Sequence, residues 1–271
     1  MSKDSKFPQK TSSLPWTESI GGHTSDRDEE IWERLESTVS DNGHPVRHVL
    51  ELFPSYVRRM HMTRFLAHYD LFKHVIDLPG NIIEIGVYRG SSLLTWGKLM
   101  ETFCPTDRSR RVYGFDNFKG LQDFDEKDGK KEERCGKTEG GWCADPVRDE
   151  VFELVDIANK DNLIEASKRT ILIEGDIEET LPQFLEAMPG LRISLLHMDI
   201  DLYKPTKFAL EQLYPRVVVG GVVVFDEYGI VPWEGETIAA EEYFKEIGIS
   251  PKIEKFPYTH LPHGYFIKEE L

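Results

Sequence analysis

The chain has 271 residues, of which 39% are hydrophobic, and carries a formal net charge of −15 at pH 7. The acidic balance argues against nucleic acid or an anionic membrane as the main partner, because both attract positive surfaces. No apolar run approaches the roughly 20 residues that span a bilayer, and the polar N-terminus lacks the apolar core of a signal peptide, so we expect a cytoplasmic protein.

The first third of the chain predicts a helical extension in front of the main domain. Residues 1–28 are polar and aperiodic, and we expect a flexible segment there. Apolar spacing within 29–78 is helical, with a stripe of side chains that we expect to be buried: Tyr56, Met60, Phe65, Leu66, Tyr69, Phe72 and Val75. Pro79 and Gly80 end that pattern and open the domain 79–271.

From residue 81 onward, strand and helix patterns alternate. Such alternation predicts βαβ units and a doubly wound, mostly parallel α/β sheet of seven strands with an antiparallel edge strand. The predicted strands are 81–85, 111–115, 170–173, the runs ending at Met198 and Phe225, and two short strands at 252–256 and 264–268. Residues 118–148 form a long polar insertion, which we interpret as a lid over the substrate.

Two acidic clusters end the most apolar strands of this sheet. Asp199 and Asp201 follow one run, and Asp226 and Glu227 follow the next. Carboxyl ends of parallel strands meet at one edge of a sheet, where ligands bind, so the carboxylates should converge there. Uncompensated like charges are costly, and a bound hard cation such as Mg²⁺ relieves them. For Asp201, a turn-capping role before the next helix is the competing interpretation.

The turn after the first strand, from Glu84 to Gly90, has the pattern E-x-G-x-x-x-G. It lacks the middle glycine with which dinucleotide enzymes accommodate a pyrophosphate, so a nucleoside ligand without a pyrophosphate fits better. Asp116 ends the second strand, where an acid can bind both ribose hydroxyls, although a turn role is the simpler alternative. Asp176 follows the third strand and is suited equally to an adenine contact and to a helix N-cap.

These motifs resemble those of the class I S-adenosylmethionine-dependent methyltransferases, and most of all the TylF/macrocin family of sugar O-methyltransferases, some of which act on deoxyhexoses in antibiotic biosynthesis. The matching segments are IEIGVYRG (83–90), YGFDNFKGL (113–121), GDIEETLP (175–182), HMDIDLYKPT (197–206) and DEYG (226–229). The resemblance covers roughly residues 55–270.

The resemblance implies S-adenosylmethionine and Mg²⁺ as cofactors and assigns the site residues. The cofactor-binding set would be Glu84, Gly86, Tyr88, Gly90, Ser91, Asp116, Asp176 and Asp199. The metal ligands would be Asp199, Asp226 and Glu227, with Asp201 as the catalytic general base. The family commonly has Asp-Asp where this chain has Asp226-Glu227, which leaves it open whether Glu227 binds the metal directly or through water.

Three further features have two interpretations each. His197 is expected to face away from Asp199 on its strand and to be a buried, hydrogen-bonded core residue. Trp233 either walls the acceptor pocket or anchors a helix start. Arg58, Arg59 and Arg64 either bind the diphosphate of a nucleotide-sugar or form an exposed or oligomer-facing stripe, and for each one alone the second interpretation is simpler.

The leading hypothesis is therefore a Mg²⁺-dependent O-methyltransferase acting on a sugar hydroxyl of a dTDP-deoxyhexose or a glycosylated natural product. A catechol-type cation-dependent O-methyltransferase is the nearest alternative. An NAD-dependent oxidoreductase and a non-catalytic cofactor-binding protein are alternatives of other classes. The apolar face of the first helices, with Leu50, Leu52, Phe53 and Tyr56, also predicts a homo-oligomer.

Overall fold

The structure is a computed structural model, and it describes residues 26–270. Nearly all of the predicted flexible segment lies outside these residues, and the first helix starts at Asp26, just inside it. The helices are α1 Asp26–Asp41, α2 Val46–Glu51, α3 Phe53–Tyr56, α4 Arg59–Lys73, α5 Ser91–Phe103, α6 Arg148–Lys160, α7 Ile177–Ala187, α8 Tyr203–Leu213 and α9 Glu234–Glu246. The strands are β1 Asn81–Ile85, β2 Val112–Asp116, β3 Thr170–Glu174, β4 Ile193–Met198, β5 Val217–Phe225 and β6 Gly264–Ile267.

The strands form one sheet in the order β3-β2-β1-β4-β5-β6. The first five strands of this order are parallel, and β6 pairs antiparallel with β5, as predicted for the edge. The sheet has six strands among the described residues instead of the predicted seven. Residues 252–256 form only a single bridge, Glu254 with Tyr265, so the prediction of a strand there is wrong.

Side chains alternate between two hydrophobic cores, one on each face of the sheet, because successive residues of a strand point in opposite directions. Ile83 and Ile85 belong to the core beneath α7, α8 and α9, whereas Ile82 belongs to the core beneath α4, α5 and α6. The alternation accounts for the continuous apolar runs of the sequence, since both faces are covered.

The N-terminal helices are only partly packed. Phe72 and Val75 are buried as predicted, but Met60, Phe65 and Leu66 have exposed fractions of 53%, 36% and 43%. The prediction that all seven side chains of the stripe are buried is therefore wrong for these three, and Tyr56 and Tyr69 are only half-buried. None of the helices among residues 26–270 has the length and apolar character needed to cross a membrane.

The insertion 118–148 is tied to the loops that follow β4 and β5. Lys137 is 1% exposed, and its ammonium group donates to the carbonyl oxygens of Asp128 and Pro232. The buried carboxylate of Asp128 accepts from the backbone amide of Tyr203 at 2.7 Å. Trp233 packs beneath this region with Leu121 and Leu202, which supports its interpretation as a core anchor.

Candidate active site

The candidate site lies where the strand order reverses, between the carboxyl ends of β1 and β4. Crevices at such switch points are the usual ligand sites of open α/β sheets. Gly86 lets the two strand ends meet, because a Cβ there would lie 1.7 Å from the carbonyl oxygen of Asp199, and its φ is +89°. Gly90 has a φ of +83° and forms the N-cap of α5.

Asp116 organises this turn. Its carboxylate accepts hydrogen bonds from the backbone amides of Val87 at 2.7 Å, Tyr88 at 2.6 Å and Phe118 at 2.6 Å. The turn interpretation of Asp116 is thus realised in the structure. A carboxylate has about four acceptor positions, so the turn leaves capacity for a ligand hydroxyl as well.

The other predicted cofactor residues differ in their surroundings. Asp176 is the N-cap of α7 and accepts from the amide of Glu178 at 2.8 Å, which is one of its two predicted roles. Tyr88 is partly exposed and packs edge-on against Trp142, and Ser91 is exposed at the start of α5. Glu84 is different, because it is 1% exposed and lies beneath the turn next to His197.

The two acidic clusters converge, as predicted. Strands β4 and β5 are neighbours in register, and the amide of Asp226 donates to the carbonyl of Met198 at 3.0 Å. Ligand atoms of Asp199, Asp201 and Glu227 lie within 4.8 Å of one another, and so do those of His197, Asp199 and Asp226. Asp199 belongs to both groups, so the three predicted metal ligands are divided between two overlapping sets.

Arg64 bridges this cluster, which the simpler interpretation of the arginines as an exposed stripe missed. One terminal nitrogen donates to Asp226 Oδ2 at 2.7 Å. The other donates to Asp199 Oδ2 at 2.9 Å and to the hydroxyl of Ser92 at 3.1 Å. The charges of the two carboxylates outweigh the effect of burial and raise the pKa of Arg64 above its ordinary value, so the guanidinium stays charged.

His197 is buried and hydrogen-bonded, as predicted, but it does not face away from Asp199, because ligand atoms of His197, Asp199 and Asp226 lie within 4.8 Å of one another. Its Nε2 donates to Asp226 Oδ1 at 3.2 Å, and its Nδ1 lies 3.6 Å from Glu84 Oε2. Burial alone would lower the pKa of His197, but the hydrogen bonds and charges of Asp226 and Glu84 outweigh it and raise the pKa to about 10. Asp226 is therefore held on both oxygens, by His197 and by Arg64, and these two cations lower its pKa well below the usual range despite its burial.

The carboxylates of the site outnumber its two cations, Arg64 and His197. Burial and the neighbouring acids raise the pKa of Asp199 and that of Glu227 well above their ordinary values. Burial, followed by the charge of Asp226, raises the pKa of Asp201 to about 7, although a hydrogen bond with Glu227 opposes this. Asp201 also has a φ of +63°, an uncommon conformation for a non-glycine residue, so its carboxylate is held at the strand end under backbone strain.

Glu236 is a fifth carboxylate that the sequence reasoning missed. It is 0% exposed on α9, and its Oε1 accepts from the amide of Glu227 at 2.9 Å. Its Oε2 and the Oε2 of Glu227 are both buried without a hydrogen-bond partner. Acidic residues in the first turn of a helix are ordinary N-terminal residues, so local pattern gave no signal for this position.

The donor set therefore fits a hard divalent cation. Carboxylate oxygens are the ligands that Mg²⁺ prefers, and buried carboxylates without partners are expensive unless they are neutralised or bound. Asp199 shares a ligand group with Asp226 and another with Glu227, whose Oε2 has no hydrogen-bond partner, and the carbonyl of Asp199 lies against Gly86.

A parallel sheet with one antiparallel edge strand and a glycine-containing turn at the switch point is the architecture of class I methyltransferases. The model of the macrocin O-methyltransferase (TylF) family matches residues 58–260, and the chain belongs to that family.

Characterised relatives share about three residues in ten. One is the 8-demethyl-8-(2,3-dimethoxy-alpha-L-rhamnosyl)-tetracenomycin-C 4'-O-methyltransferase of Streptomyces olivaceus, 29% identical over 67% of this chain and 64% of that protein. Another is the demethyldecarbamoylnovobiocin O-methyltransferase of Streptomyces niveus, 31% identical over 58% of this chain and 55% of that protein. The matches thus span less than two thirds of the length of either relative.

Solved structures extend the similarity over most of the chain. The calicheamicin methyltransferase CalS11 superposes with a TM-score of 0.82 at 29% identity, over 91% of this chain and 94% of that one. The O-methyltransferase NovP superposes with a TM-score of 0.59 at 26% identity, over 76% of this chain and 80% of that one.

Proposed function

We propose that this protein is an S-adenosylmethionine-dependent O-methyltransferase that methylates a sugar hydroxyl. The observation that carries the proposal is the convergence of the Asp199 and Asp226 clusters beside the turn of Gly86, in a chain of the macrocin O-methyltransferase family. Methyl transfer requires an in-line arrangement of acceptor oxygen, methyl carbon and sulfur. Holding reactants in such a geometry contributes up to roughly 7–11 kcal/mol to catalysis.

The methyl donor is assigned to the turn between β1 and α5. Gly86 and Gly90 keep the turn open to a ligand, with Tyr88 and Ser91 exposed along it. Asp116 would accept from the ribose hydroxyls with its remaining capacity. Asp176, which follows β3, is assigned to the adenine in addition to its N-cap role. Glu84 is buried beneath the turn, so it would support the cofactor site from there instead of through an exposed contact with the ligand.

The metal is assigned to Asp199, Asp226 and Glu227, with Mg²⁺ as the ion that suits their oxygens. When bound, the ion supplies Lewis-acid stabilisation of the negative charge that develops on the acceptor oxygen. Asp226 is fixed for this role by His197 on its Oδ1, which leaves its Oδ2 directed toward Asp199 and Arg64. The buried Oε2 of Glu227 has no other partner, which supports its inclusion in the set.

Asp201 is assigned as the general base. It lies two residues after Asp199 at the same strand end, and the pKa of about 7 that burial gives it suits proton acceptance near neutral pH. The attacking hydroxyl would lose its proton to this carboxylate as the carbon–oxygen bond forms. Exclusion of water from the reacting atoms is assigned to the insertion 118–148.

The acceptor is proposed to be a sugar, free as a nucleotide-sugar or attached to a natural product. The relatives are named for a rhamnosyl tetracenomycin and a novobiocin precursor, and the structural neighbour CalS11 is a TDP-rhamnose 3'-O-methyltransferase. The cytoplasmic location and the homo-oligomer expected from the sequence stay predictions.

The test is a methyl-transfer assay with labelled S-adenosylmethionine and three acceptor groups: dTDP-deoxyhexoses, glycosylated natural products and catechols. We expect label in a sugar acceptor, with release of S-adenosylhomocysteine and loss of turnover after chelation of divalent ions. Turnover of catechols alone would contradict the sugar assignment. Failure to bind S-adenosylhomocysteine in calorimetry would contradict the methyltransferase assignment altogether.

A further inference from the structure

Arg64 contacts the oxygens that a divalent ion needs. His197 already holds Oδ1 of Asp226, so Oδ2 is the oxygen of that carboxylate left for a ligand. The guanidinium of Arg64 holds this Oδ2 at 2.7 Å and reaches Asp199 Oδ2 at 2.9 Å. A planar guanidinium that spans two carboxylates forms charge-assisted hydrogen bonds, which are about twice as strong as neutral ones.

The position of Arg64 allows it to leave. It lies on α4, in the N-terminal extension, and its side chain is 23% exposed. The side chain of Asp199 is 25% exposed, so water reaches both Arg64 and Asp199, whereas the side chain of Asp226 is buried. Since part of the Arg64 side chain already meets solvent, and Arg64 belongs to neither hydrophobic core, its guanidinium can move toward water when another cation takes its place.

We propose that Arg64 is a built-in counter-ion that occupies the cation position of the metal-free enzyme and is displaced when a divalent ion binds to Asp199 and Asp226. This inference rests on the proposed function, because it assumes that the carboxylates receive a metal. Without Arg64, Asp226 would keep only His197, and Asp199 would have no cation in direct contact among the described residues. Arg64 therefore stabilises the metal-free site. The affinity for the ion is lower than it would be without Arg64, because the ion must break the hydrogen bonds of Arg64 with Asp199 and Asp226.

The experiment is a Mn²⁺ titration of chelator-treated protein, with the free ion followed by electron paramagnetic resonance. Wild type is compared with Arg64→Gln and with Arg59→Gln, which removes the same charge from an exposed position at the start of the same helix. We expect Arg64→Gln to bind Mn²⁺ about tenfold tighter or more than wild type, and Arg59→Gln to bind like wild type. Thermal unfolding without the ion should occur at a lower temperature in Arg64→Gln, and Mn²⁺ should restore more of its stability than it adds to wild type.

Equal or weaker Mn²⁺ binding by Arg64→Gln would overturn the inference and leave the proposed function intact. If Arg64→Gln does not fold, Arg64→Lys replaces it, since an ammonium group cannot span two carboxylates as a guanidinium does. Arg64→Lys should then bind Mn²⁺ tighter than wild type, and equal binding would refute the inference. Absence of Mn²⁺ binding in every variant would overturn both the inference and the metal assignment, while S-adenosylhomocysteine binding by the same samples would show that the methyl-donor site is sound.

Discussion

His197 is the buried cation beneath the site, and we expect His197→Gln to destabilise the metal-free protein by about 3–5 kcal/mol at pH 6. Removing it leaves Glu84 and Asp226, 1% exposed each, without this imidazolium. A second route gives a similar size. The rise of the histidine pKa from 6.5 to about 10 corresponds, at roughly 1.4 kcal/mol per pKa unit, to about 5 kcal/mol.

The sign of the pH dependence follows from that raised pKa. The contribution of His197 is complete below pH 6.5, the pKa of an unfolded histidine, and is lost as pH rises through about 10. Urea unfolding in the presence of a chelator should therefore show a gap between wild type and His197→Gln that is largest near pH 6 and shrinks toward pH 10. His74→Gln, at an exposed histidine after α4, should stay within about 0.5 kcal/mol of wild type. A gap that is constant across this range, or below about 1 kcal/mol at pH 6, would refute the reasoning.

Three further substitutions test other parts of the account. Asp201→Asn should lower kcat by about 10²–10⁴-fold without changing the affinity for S-adenosylmethionine, because it removes only the proton acceptor; unchanged single-turnover rates would contradict this. Asp116→Ala should weaken S-adenosylhomocysteine binding about tenfold or more in calorimetry, because three turn amides lose their acceptor, and wild-type affinity would argue against the assignment. Lys137→Met should speed proteolysis and hydrogen exchange within 118–148 but not in α5, because the buried ammonium no longer joins Asp128 to Pro232; equal exchange would show that other contacts hold the insertion.

The parts of the fold that could be predicted are those whose signals lie within short stretches of the sequence. The α5 helix spans Ser91–Phe103, where Gly90 marks its start and the apolar spacing continues to its end. The convergence of the clusters at Asp199 and Asp226 followed from two continuous apolar runs in a parallel sheet, since both end at the same edge. The segment 252–256 was predicted to be a strand, but only Glu254 pairs, with Tyr265. Its two apolar residues, Ile253 and Phe256, do not specify a ladder.

The charge partners of the site were beyond such reasoning. Arg64 meets Asp199 and Asp226 across 135 and 162 residues of sequence, and nothing in its own helix distinguishes it from Arg59. The prediction that His197 is buried is confirmed, but the prediction that it faces away from Asp199 is wrong, because residues two apart share a face of a strand. Its hydrogen bond to Asp226 depends in addition on the register of β4 against β5. These contacts join elements that are distant in the chain. They depend on how whole helices and strands pack together, and no short stretch of the sequence encodes that packing.

The central claim is that the carboxylates after β4 and β5 bind a divalent cation beside the methyl donor. Its most direct test is a crystal structure with S-adenosylhomocysteine and Mn²⁺, in which anomalous scattering locates the ion. We predict an anomalous peak among Asp199, Asp226 and Glu227, next to the ligand on the turn of Gly86, with Arg64 turned away. A bound S-adenosylhomocysteine with no peak at these carboxylates, and Arg64 still between Asp199 and Asp226, would contradict the claim.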